Sequence, residues 1–524
     1  MIVIRPVLPI LHPLLFGVYS VLRICADPTD PSPPSQAVRP LLVVLAGVLL
    51  LLVAAKPLLP RIAPRALLVS FLILGFSDYL FALLAGSSIP GVGAFFLALL
   101  RHPAMGGLFF LALLVLVWFL LRRTRRDLST LTVGATILGA GLAIGATVNG
   151  ISPWLRFDHA PWMPAVQTIL SDEAERELHP RTPLPDIYYV VVDGYARQDV
   201  LQDLYSLDND SFLQSLRERG FFIPSRSCSN YMQTYLSLAS TLNLSYLDAL
   251  AGAPGFSPKT RLPLYYLIQK SRAVRTLKRA GYRFVLVPSV YAATDHHGMA
   301  DVRAANTLLL NGVENKILSI SPLTAWKRMR RLQYEAYRRH LGDNLDALGA
   351  AVRLPGPKLV LAHLVLPHPP FVFGQSGEPV LPDHPLCLND GSFYMGSREE
   401  YVRGYTDQLA YTNMRILALV DSLQLGASEP PVIILQADHG PGSMLDWKSV
   451  PGSNTTERVG IFAAYCVPDE LRSQLYDTMT PVNAIRFLLN HVAGTEFERL
   501  EDKSYFSTRG EPYDFHLVPP VETR

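Results

Sequence analysis

Residues 186–197 read DIYYVVVDGYAR and carry the strongest fold signal in the chain. Ile187–Val192 is a run of apolar and aromatic residues without polar alternation. Such a run is typical of a parallel strand that is covered on both faces. It ends in Asp193 and Gly194, and a similar run, PVIILQ at 431–436, ends in ADHG at 437–440. Two buried strands that end in acidic or imidazole groups predict a ligand site at one edge of a sheet.

Further strand and helix signals surround these two runs. Apolar runs of strand length lie at 284–288, 358–365 and 459–466, and helical periodicity lies at 212–219 and 397–423. This alternation predicts an α/β domain with a central, mostly parallel sheet and helices on both faces.

The first 150 residues have a different character. Of the 524 residues in the chain, 49% are hydrophobic and 17% are charged, whereas soluble proteins have about 25% charged residues. This composition argues against a wholly soluble or a disordered protein. The uncharged or nearly uncharged runs that predict five transmembrane helices are 6–22, 41–55, 66–85, 104–121 and 128–148. A cleaved signal peptide is the alternative for the first run, but its three prolines disfavour it.

Basic residues predict the orientation of these helices. The loop 56–65 carries three Lys or Arg residues and the loop 122–127 carries four, whereas the alternate loops carry one each. The positive-inside rule places the basic loops in the cytoplasm and everything after about residue 150 outside the inner membrane. We interpret Asp78, inside the third run, as a carboxylate near the outer helix end, with a functional role as the alternative.

These signals predict three regions along the chain. A transmembrane domain spans 1–150, a linker spans 151–185, and an extracytoplasmic catalytic domain spans 186–524. The linker contains six prolines, and Trp154 and Trp162 suit a position along the membrane surface. The net charge of +3 gives no sign of a nucleic-acid partner. The four cysteines form no CxxC pair, which disfavours a structural zinc knuckle.

Asp193, Asp438 and His439 are the candidate metal ligands. Two carboxylates and an imidazole suit Zn²⁺ or Mn²⁺, and Gly440 permits a tight turn after the two ligands of the second strand. A strand-ending aspartate is also common as a helix cap, and a single DHG occurs by chance. The pair of strand ends in this order is more specific than either feature alone.

Thr234 is the candidate nucleophile, in the hydroxyl-rich segment NYMQTYLSLASTLNLSYL at 230–247. A hydroxyl at a helix N-terminus faces the positive end of the dipole, and a neighbouring metal would lower its pKa. The alternative is a plain N-cap without catalytic function. Ser237, one turn further along, is the reserve candidate.

The motifs described so far resemble those of the alkaline phosphatase/sulfatase superfamily. The layout is similar to its membrane-bound branch, which includes lipoteichoic acid synthase and the phosphoethanolamine transferases. The matching segments are DIYYVVVDGYAR at 186–197, NYMQTYLSLAST at 230–241, HLVLPHPPF at 363–371, VIILQADHG at 432–440 and ERVGIF at 457–462.

The resemblance implies a role for each matching residue. Asp193, Asp438 and His439 would be metal ligands, and Thr234 would be both nucleophile and ligand. His368 would bind substrate, as would His363, for which a satisfied core position is the alternative.

Several features depart from the relatives. Formylglycine sulfatases need Cys-x-Pro-x-Arg at the nucleophile, and neither TYLSL at 234–238 nor the surroundings of Cys228 supply it. The next histidine after His439 is His491, whereas phosphoethanolamine transferases often carry one soon after DHG. Lipoteichoic acid synthases place a glutamate where Asp193 stands. We interpret His296 and His297 as part of a polar surface loop, with a second metal site as the alternative.

The sequence therefore predicts a phosphotransferase or phosphohydrolase that uses one divalent metal ion, Zn or Mn, and a covalent threonine intermediate. Its substrate would be a membrane lipid head group or an envelope glycan phosphoester, because the site faces outward next to the membrane. A sulfatase-type hydrolase and an inactive envelope scaffold are the alternatives. The donor, the acceptor and the oligomeric state stay open.

Overall fold

The computed structural model describes residues 8–76, 103–171, 177–253, 259–305, 310–321, 327–427 and 429–519. Asp78 lies outside these residues. The chain forms two compact units. The first comprises 1–27, 31–160 and 310–333, and the second comprises 28–30, 161–309 and 334–524.

The first unit is helical. Its N-terminal helices are α1 (Leu8–Cys25), α2 (Val38–Ala54), α3 (Ile62–Phe76), α4 (Pro103–Arg123), α5 (Ser129–Gly150) and α6 (Ser152–Leu155). By length and composition, the segments able to cross a membrane are Pro34–Ala54, Met105–Arg123 and Ser129–Leu155, and shorter apolar helices span Pro9–Cys25 and Ile62–Gly75. The predicted helical membrane region is thus confirmed, and the number of five spans stays a prediction.

Small residues allow α1 and α5 to pack closely. A Cβ atom at Gly139 would lie 3.1 Å from the Cβ atom of Leu15, and one at Gly150 would lie 3.1 Å from the carbonyl oxygen of Leu22. Glycines of this kind let helix backbones approach each other, as is common in membrane helices.

The second unit has a six-stranded mixed sheet with the order β3-β2-β4-β1-β5-β6. Its strands are β1 (Ile187–Val192), β2 (Arg283–Val287), β3 (Val302–Arg303), β4 (Lys358–Leu364), β5 (Val432–Gln436) and β6 (Ala463–Cys466). All neighbours are parallel except β5 and β6. A separate antiparallel pair consists of β7 (Ser504–Phe506) and β8 (His516–Val518). The mostly parallel α/β architecture predicted from the sequence is confirmed.

Further α-helices lie in the described residues after position 160. They are α7 (Met163–Leu170), α8 (Gln198–Tyr205), α9 (Asp210–Glu218), α10 (Thr234–Asn243), α11 (Leu262–Gln269), α12 (Arg272–Arg279), α13 (Ala292–Asp295), α14 (Gly312–Ile320), α15 (Lys327–Ala350), α16 (Arg398–Gly426), α17 (Thr455–Val459), α18 (Asp469–Arg472) and α19 (Pro481–Ala493).

Two predictions about local structure were wrong. The predicted strand 459–466 begins only at Ala463, because Val459 ends α17 and Gly460 and Ile461 form isolated bridges with Cys228 and Ala196 outside the sheet. Trp162, which was expected to be exposed along a membrane surface, is not exposed. It is buried in the second unit, where its ring packs against Tyr266 with 5.9 Å between centroids.

The sequence analysis places the segment 310–333 within the catalytic domain 186–524. In the structure it belongs to the first unit, where Val313 of α14 is buried among apolar residues of α1 and α5. An ion pair between Arg39 and Glu314 adds a polar contact beside Val313.

Candidate functional site

The candidate ligands meet where β1, β4 and β5 end side by side. Val191 of β1 pairs with His363 of β4 and with Gln436 of β5, so the residues after β1 and β5 emerge at the same edge. Ligand atoms of Asp193, Asp438 and His439 all lie within 4.8 Å of one another. The structure thus brings the three residues together as a group that could hold a metal ion.

This group is deeply buried and incompletely satisfied. Nε2 of His439 lies 3.3 Å from Oδ2 of Asp438 and 3.6 Å from Oδ1 of Asp193. Among the described residues, Oδ1 of Asp193 and both carboxylate oxygens of Asp438 have no hydrogen-bond partner. Buried carboxylate oxygens without partners are costly unless they bind a cation. The donor set of two carboxylates and an imidazole therefore fits a divalent metal ion.

Glycines allow the chain to turn sharply at both strand ends. Gly194 has a φ of +74°, a conformation that favours glycine. A Cβ atom at Gly440 would lie 2.1 Å from the backbone carbonyl oxygen of Glu457, so only glycine fits there without a backbone shift. These turns direct the Asp193, Asp438 and His439 side chains to a common point.

Thr234 joins the group from the start of α10. Its Oγ1 lies 3.0 Å from Nε2 of His439. The N-cap residue of α10 is Gln233, and Thr234 occupies the first helical position. The alternative of a plain N-cap was therefore wrong, because the hydroxyl is turned toward His439. Among the described residues, Ser237 makes no side-chain hydrogen bond to this group, although it is buried in the same helix.

His363 lies at the edge of the group and not in the apolar core. Its Nε2 is 3.3 Å from Oδ2 of Asp193. Its Nδ1 is 2.9 Å from the hydroxyl of Thr294, which in turn contacts Ser289. This chain of hydroxyls fixes the ring orientation and leaves Nε2 facing the carboxylate.

His368 leads to two residues that the sequence did not identify as candidates. Its Nε2 is 3.8 Å from Oδ2 of Asp390, and its ring centroid lies 6.1 Å from that of His439. The same carboxylate oxygen of Asp390 accepts from Arg458 at 2.5 Å. Arg458 also lies 3.1 Å from Nε2 of His439.

Only one of these two residues carried a sequence signal. Arg458 is part of ERVGIF at 457–462, whose match to the relatives could have marked it. Asp390 follows an irregular segment without periodicity, so it had no comparable signal.

Burial and neighbouring charges shift the pKa values of the group. Burial alone would raise the pKa of Asp193, but His368, His363 and His439 outweigh it and hold that pKa well below its usual range. Burial and the Arg458 charge lower the pKa of His439. Burial alone would raise the pKa of Asp390, but the charges of Arg458 and the neighbouring histidines outweigh this effect and lower that pKa. These shifts favour the ionised form of the Asp193 carboxylate and the neutral form of the His439 imidazole, which are the forms that bind a metal ion.

Other singled-out residues lie apart from this group. His297 is buried and bonds to the carbonyl oxygen of Ile268, so its assignment to a surface loop was wrong, whereas His296 is exposed. Cys228 lies 3.3 Å from an Arg197 nitrogen. All four cysteines are free.

Comparisons with known proteins place the chain near several solved structures. No family model and no curated protein matches it. A zinc complex of the C-terminal periplasmic domain of EcEptC from Escherichia coli shows 13% identity and a TM-score of 0.38, covering 66% of this chain and 94% of that one. The integral membrane lipooligosaccharide phosphoethanolamine transferase A from Neisseria meningitidis shows 11% identity and a TM-score of 0.38, covering 93% and 95%.

A third structure comes from a hydrolase. The phosphonate monoester hydrolase of Agrobacterium radiobacter shows 13% identity and a TM-score of 0.40, covering 62% of this chain and 80% of that one.

Proposed function

We propose that the chain is a membrane-anchored phosphotransferase or phosphohydrolase in which Thr234 is the nucleophile. The observation that carries this proposal is the 3.0 Å contact between the Thr234 hydroxyl and Nε2 of His439, beside carboxylate oxygens that lack partners. Neither helix capping nor core packing explains why the Thr234 hydroxyl lies beside these ligands, whereas a catalytic role does.

Asp193, Asp438, His439 and Thr234 would hold one divalent cation, Zn²⁺ or Mn²⁺. When bound, such a cation supplies positive charge that favours the alkoxide form of a hydroxyl and neutralises a phosphoryl oxygen. The nucleophile and the hydrogen-bond donors to the phosphoryl group would be side chains and backbone groups of the protein.

Thr234, as the alkoxide left after its proton is lost to solvent, would attack phosphorus while the bond to the leaving group breaks. The leaving oxygen departs with the electron pair and takes a proton from solvent, and the enzyme holds a phosphothreonine. The place of Thr234 at the first position of α10 puts free backbone N–H groups and the positive helix end next to the developing charge. His368 and Arg458 lie beside the group and would donate hydrogen bonds to phosphoryl oxygens. A hydroxyl acceptor or water would then displace the threonine oxygen from phosphorus and restore Thr234.

The apolar helices of the first unit suggest where the substrate comes from. With residues 186–524 outside the inner membrane, the site would face lipid head groups and envelope glycans. We therefore propose that the substrate is a phosphoester of a lipid head group or of an envelope glycan. This proposal agrees with the orientation that the basic loops predict.

A direct assay tests the reaction class. Purified full-length protein with added Zn²⁺ or Mn²⁺ should hydrolyse bis(4-nitrophenyl) phosphate and leave aryl sulfates intact, because the chain lacks the sequence from which formylglycine is made. Stopping the reaction should trap the phosphoryl fragment as a mass increment on the peptide that contains Thr234. Arylsulfatase activity that depends on Thr234 would contradict phosphoryl transfer and favour the sulfatase alternative.

A further inference from the structure

Arg458 is a buried cation beside the candidate nucleophile. The residue is 1% exposed, and its Nη2 atom lies 3.1 Å from Nε2 of His439. The Oγ1 atom of Thr234 lies 3.0 Å from the same imidazole nitrogen. A guanidinium nitrogen and the hydroxyl that would attack phosphorus are therefore both neighbours of one atom. The direction in which this guanidinium donates thus matters for a phosphoryl group that Thr234 attacks.

Three oxygens of the protein hold the Arg458 guanidinium. Its Nε donates to the carbonyl oxygen of Met232 at 3.0 Å, and its Nη1 donates to the carbonyl oxygen of Gly440 at 2.8 Å and to Oδ2 of Asp390 at 2.5 Å. An arginine carries five N–H groups, so these bonds use three of them. The two that are left belong to Nη2, the nitrogen beside His439.

The Asp390 carboxylate is fixed on both of its oxygens. Its Oδ1 accepts from the Tyr401 hydroxyl and from the Gly391 backbone N–H, each at 2.8 Å. The Tyr401 hydroxyl accepts in turn from the backbone N–H of Gly442 at 2.9 Å, in the segment after β5. The carboxylate therefore cannot turn away from Arg458 without breaking the bonds on its other side.

An amide could not take over this position. A carboxylate accepts on both oxygens, whereas an amide accepts on one and donates on the other. With Asp390→Asn, the amide N–H groups would face either the Arg458 guanidinium or the Gly391 N–H, and each case sets donor against donor. The substitution therefore displaces either the guanidinium or the turn that begins at Gly391.

We propose that Asp390 is a positioning residue for phosphoryl transfer. It fixes the Arg458 guanidinium so that Nη2 donates to an oxygen of the phosphoryl group that Thr234 attacks. The inference rests on the proposed function and adds to it the carboxylate through which Arg458 is oriented. A guanidinium suits this role because its N–H groups lie in one rigid plane, so fixing one nitrogen directs the others.

Binding of inorganic phosphate tests this role without turnover. Full-length Thr234→Ala protein in saturating Zn²⁺ is titrated with inorganic phosphate by calorimetry, with and without Asp390→Asn. We expect Asp390→Asn to weaken phosphate binding about tenfold or more, the factor that one lost charge-assisted hydrogen bond implies. Removing a negative charge would by itself strengthen the binding of an anion, so weaker binding indicates a displaced donor.

A double substitution shows whether Asp390 acts through Arg458. In the same Thr234→Ala protein, Arg458→Gln should weaken phosphate binding by a similar factor. Adding Asp390→Asn to Arg458→Gln should then change the affinity little further, because the donor that Asp390 orients is already gone. Two independent effects would multiply instead, and that result would contradict the positioning role.

Tyr401→Phe is a second route to the same test, because it keeps both buried charges and therefore disturbs folding less than Asp390→Asn does. It removes one of the bonds that fix Oδ1 of Asp390. We expect it to weaken phosphate binding about threefold. Unchanged affinity in Tyr401→Phe, where Asp390→Asn does not fold, would contradict the positioning role.

Asp186→Asn is the matched control. Asp186 pairs with Lys358, whose side chain is 1% exposed, at the start of β1 and so at the opposite end of the strand from Asp193. Like Asp390→Asn, this substitution leaves a buried cation without its carboxylate, and both should lower the Tm. Only Asp390→Asn should weaken phosphate binding. Thermal unfolding and zinc content are measured for every variant.

The outcome is separable from the test of the proposed function. Unchanged or tighter phosphate binding by Asp390→Asn at full zinc content would overturn the positioning role, even if the wild type hydrolyses bis(4-nitrophenyl) phosphate. Failure of the Thr234→Ala protein to bind phosphate would also overturn it. Weaker binding that depends on Arg458, without any turnover by the wild type, would support the positioning role and contradict the proposed catalysis.

Discussion

At the scale of single residues, the Thr234 hydroxyl gives the sharpest prediction. Thr234→Ala should lower kcat for an aryl phosphodiester by several orders of magnitude, because it removes the group that attacks phosphorus. The fold should change little, since one lost hydrogen bond to His439 contributes about 1 kcal/mol. Thr234→Ser should keep measurable turnover because the hydroxyl remains.

Ser237→Ala is the matched control for Thr234→Ala. Ser237 is buried in the same helix, so the two substitutions disturb packing similarly. Steady-state kinetics and thermal unfolding of the detergent-solubilised protein measure both effects. If Ser237→Ala abolished turnover while Thr234→Ala did not, the nucleophile would be Ser237.

Asp438 gives a prediction that separates metal binding from stability. Asp438→Asn should abolish most metal binding, because both oxygens that lack partners are replaced by one neutral amide. In chelator the variant should unfold at the same Tm as wild type or higher, since an unpaired buried charge is lost. Added metal should stabilise only the wild type, by about 2.7 kcal/mol at a hundredfold excess over Kd.

Metal analysis and thermal unfolding with and without Zn²⁺ check this expectation. Asp203→Asn, at an exposed position of α8, is the control and should behave as wild type. Metal content of Asp438→Asn equal to that of the wild type would show that the cation, if any, lies elsewhere.

Four residues of the candidate site could be predicted from local signals, and the structure brings them together. Asp193, Asp438 and His439 follow buried strands, and Thr234 opens a hydroxyl-rich helix. Asp390 could not be predicted, because its role comes from Arg458, 68 residues away in sequence, and from the Tyr401 hydroxyl. Contacts of this kind depend on tertiary packing and have no periodic pattern.

At the scale of elements, the turn after β5 depends on Gly440. Gly440→Ala would place a Cβ atom 2.1 Å from the Glu457 carbonyl oxygen, which is backbone and cannot rotate away. We expect a loss of about 2 kcal/mol or more in stability and a fall in metal affinity, because Asp438 and His439 must shift. Gly510→Ala, which meets no atom within 4 Å, should change the Tm very little.

Thermal unfolding and metal content of both glycine variants test the role of this turn. A Gly440→Ala protein with wild-type Tm and metal content would mean that the turn can relax without moving the ligands.

The strands show where sequence patterns succeed and where they fail. β1 and β5 were predicted almost to the residue because they are continuous apolar runs buried on both faces. The segment before β6 is also apolar and buried, yet Val459 ends α17 and Gly460 and Ile461 form isolated bridges outside the sheet. An apolar pattern indicates burial, but it does not show whether the buried backbone pairs within the sheet.

At the scale of the whole molecule, sequence patterns also could not predict that the segment 310–333 belongs to the first unit. Its short helix α14 packs through Val313 and one ion pair, Arg39–Glu314, onto helices that are far away in sequence. A nine-residue helix with so small a buried face has no pattern that predicts its partner. The sequence could therefore give the two-part organisation but not the crossing of this segment into the first unit.

The last prediction concerns the orientation of the chain in the membrane. The structure supports it in addition to the count of basic residues. Arg61 in the loop 56–65 donates a hydrogen bond to the carbonyl of Thr124 in the loop 122–127, so the two basic loops lie together at one end of the first unit. Charges from both loops therefore act on the same side of the bilayer, which strengthens the expectation that this side is cytoplasmic.

A reporter enzyme that is active only outside the cytoplasm should be active when fused after Arg524 and silent when inserted after Arg125. Replacing Arg122, Arg123, Arg125 and Arg126 by Gln should weaken this asymmetry, whereas Arg499→Gln, far from the loops in sequence, should leave it unchanged. A silent fusion after Arg524 together with an active insertion after Arg125 would reverse the orientation. It would also move the candidate site into the cytoplasm and remove the argument for an envelope substrate, while leaving the chemistry of Thr234 and its neighbours to be tested separately.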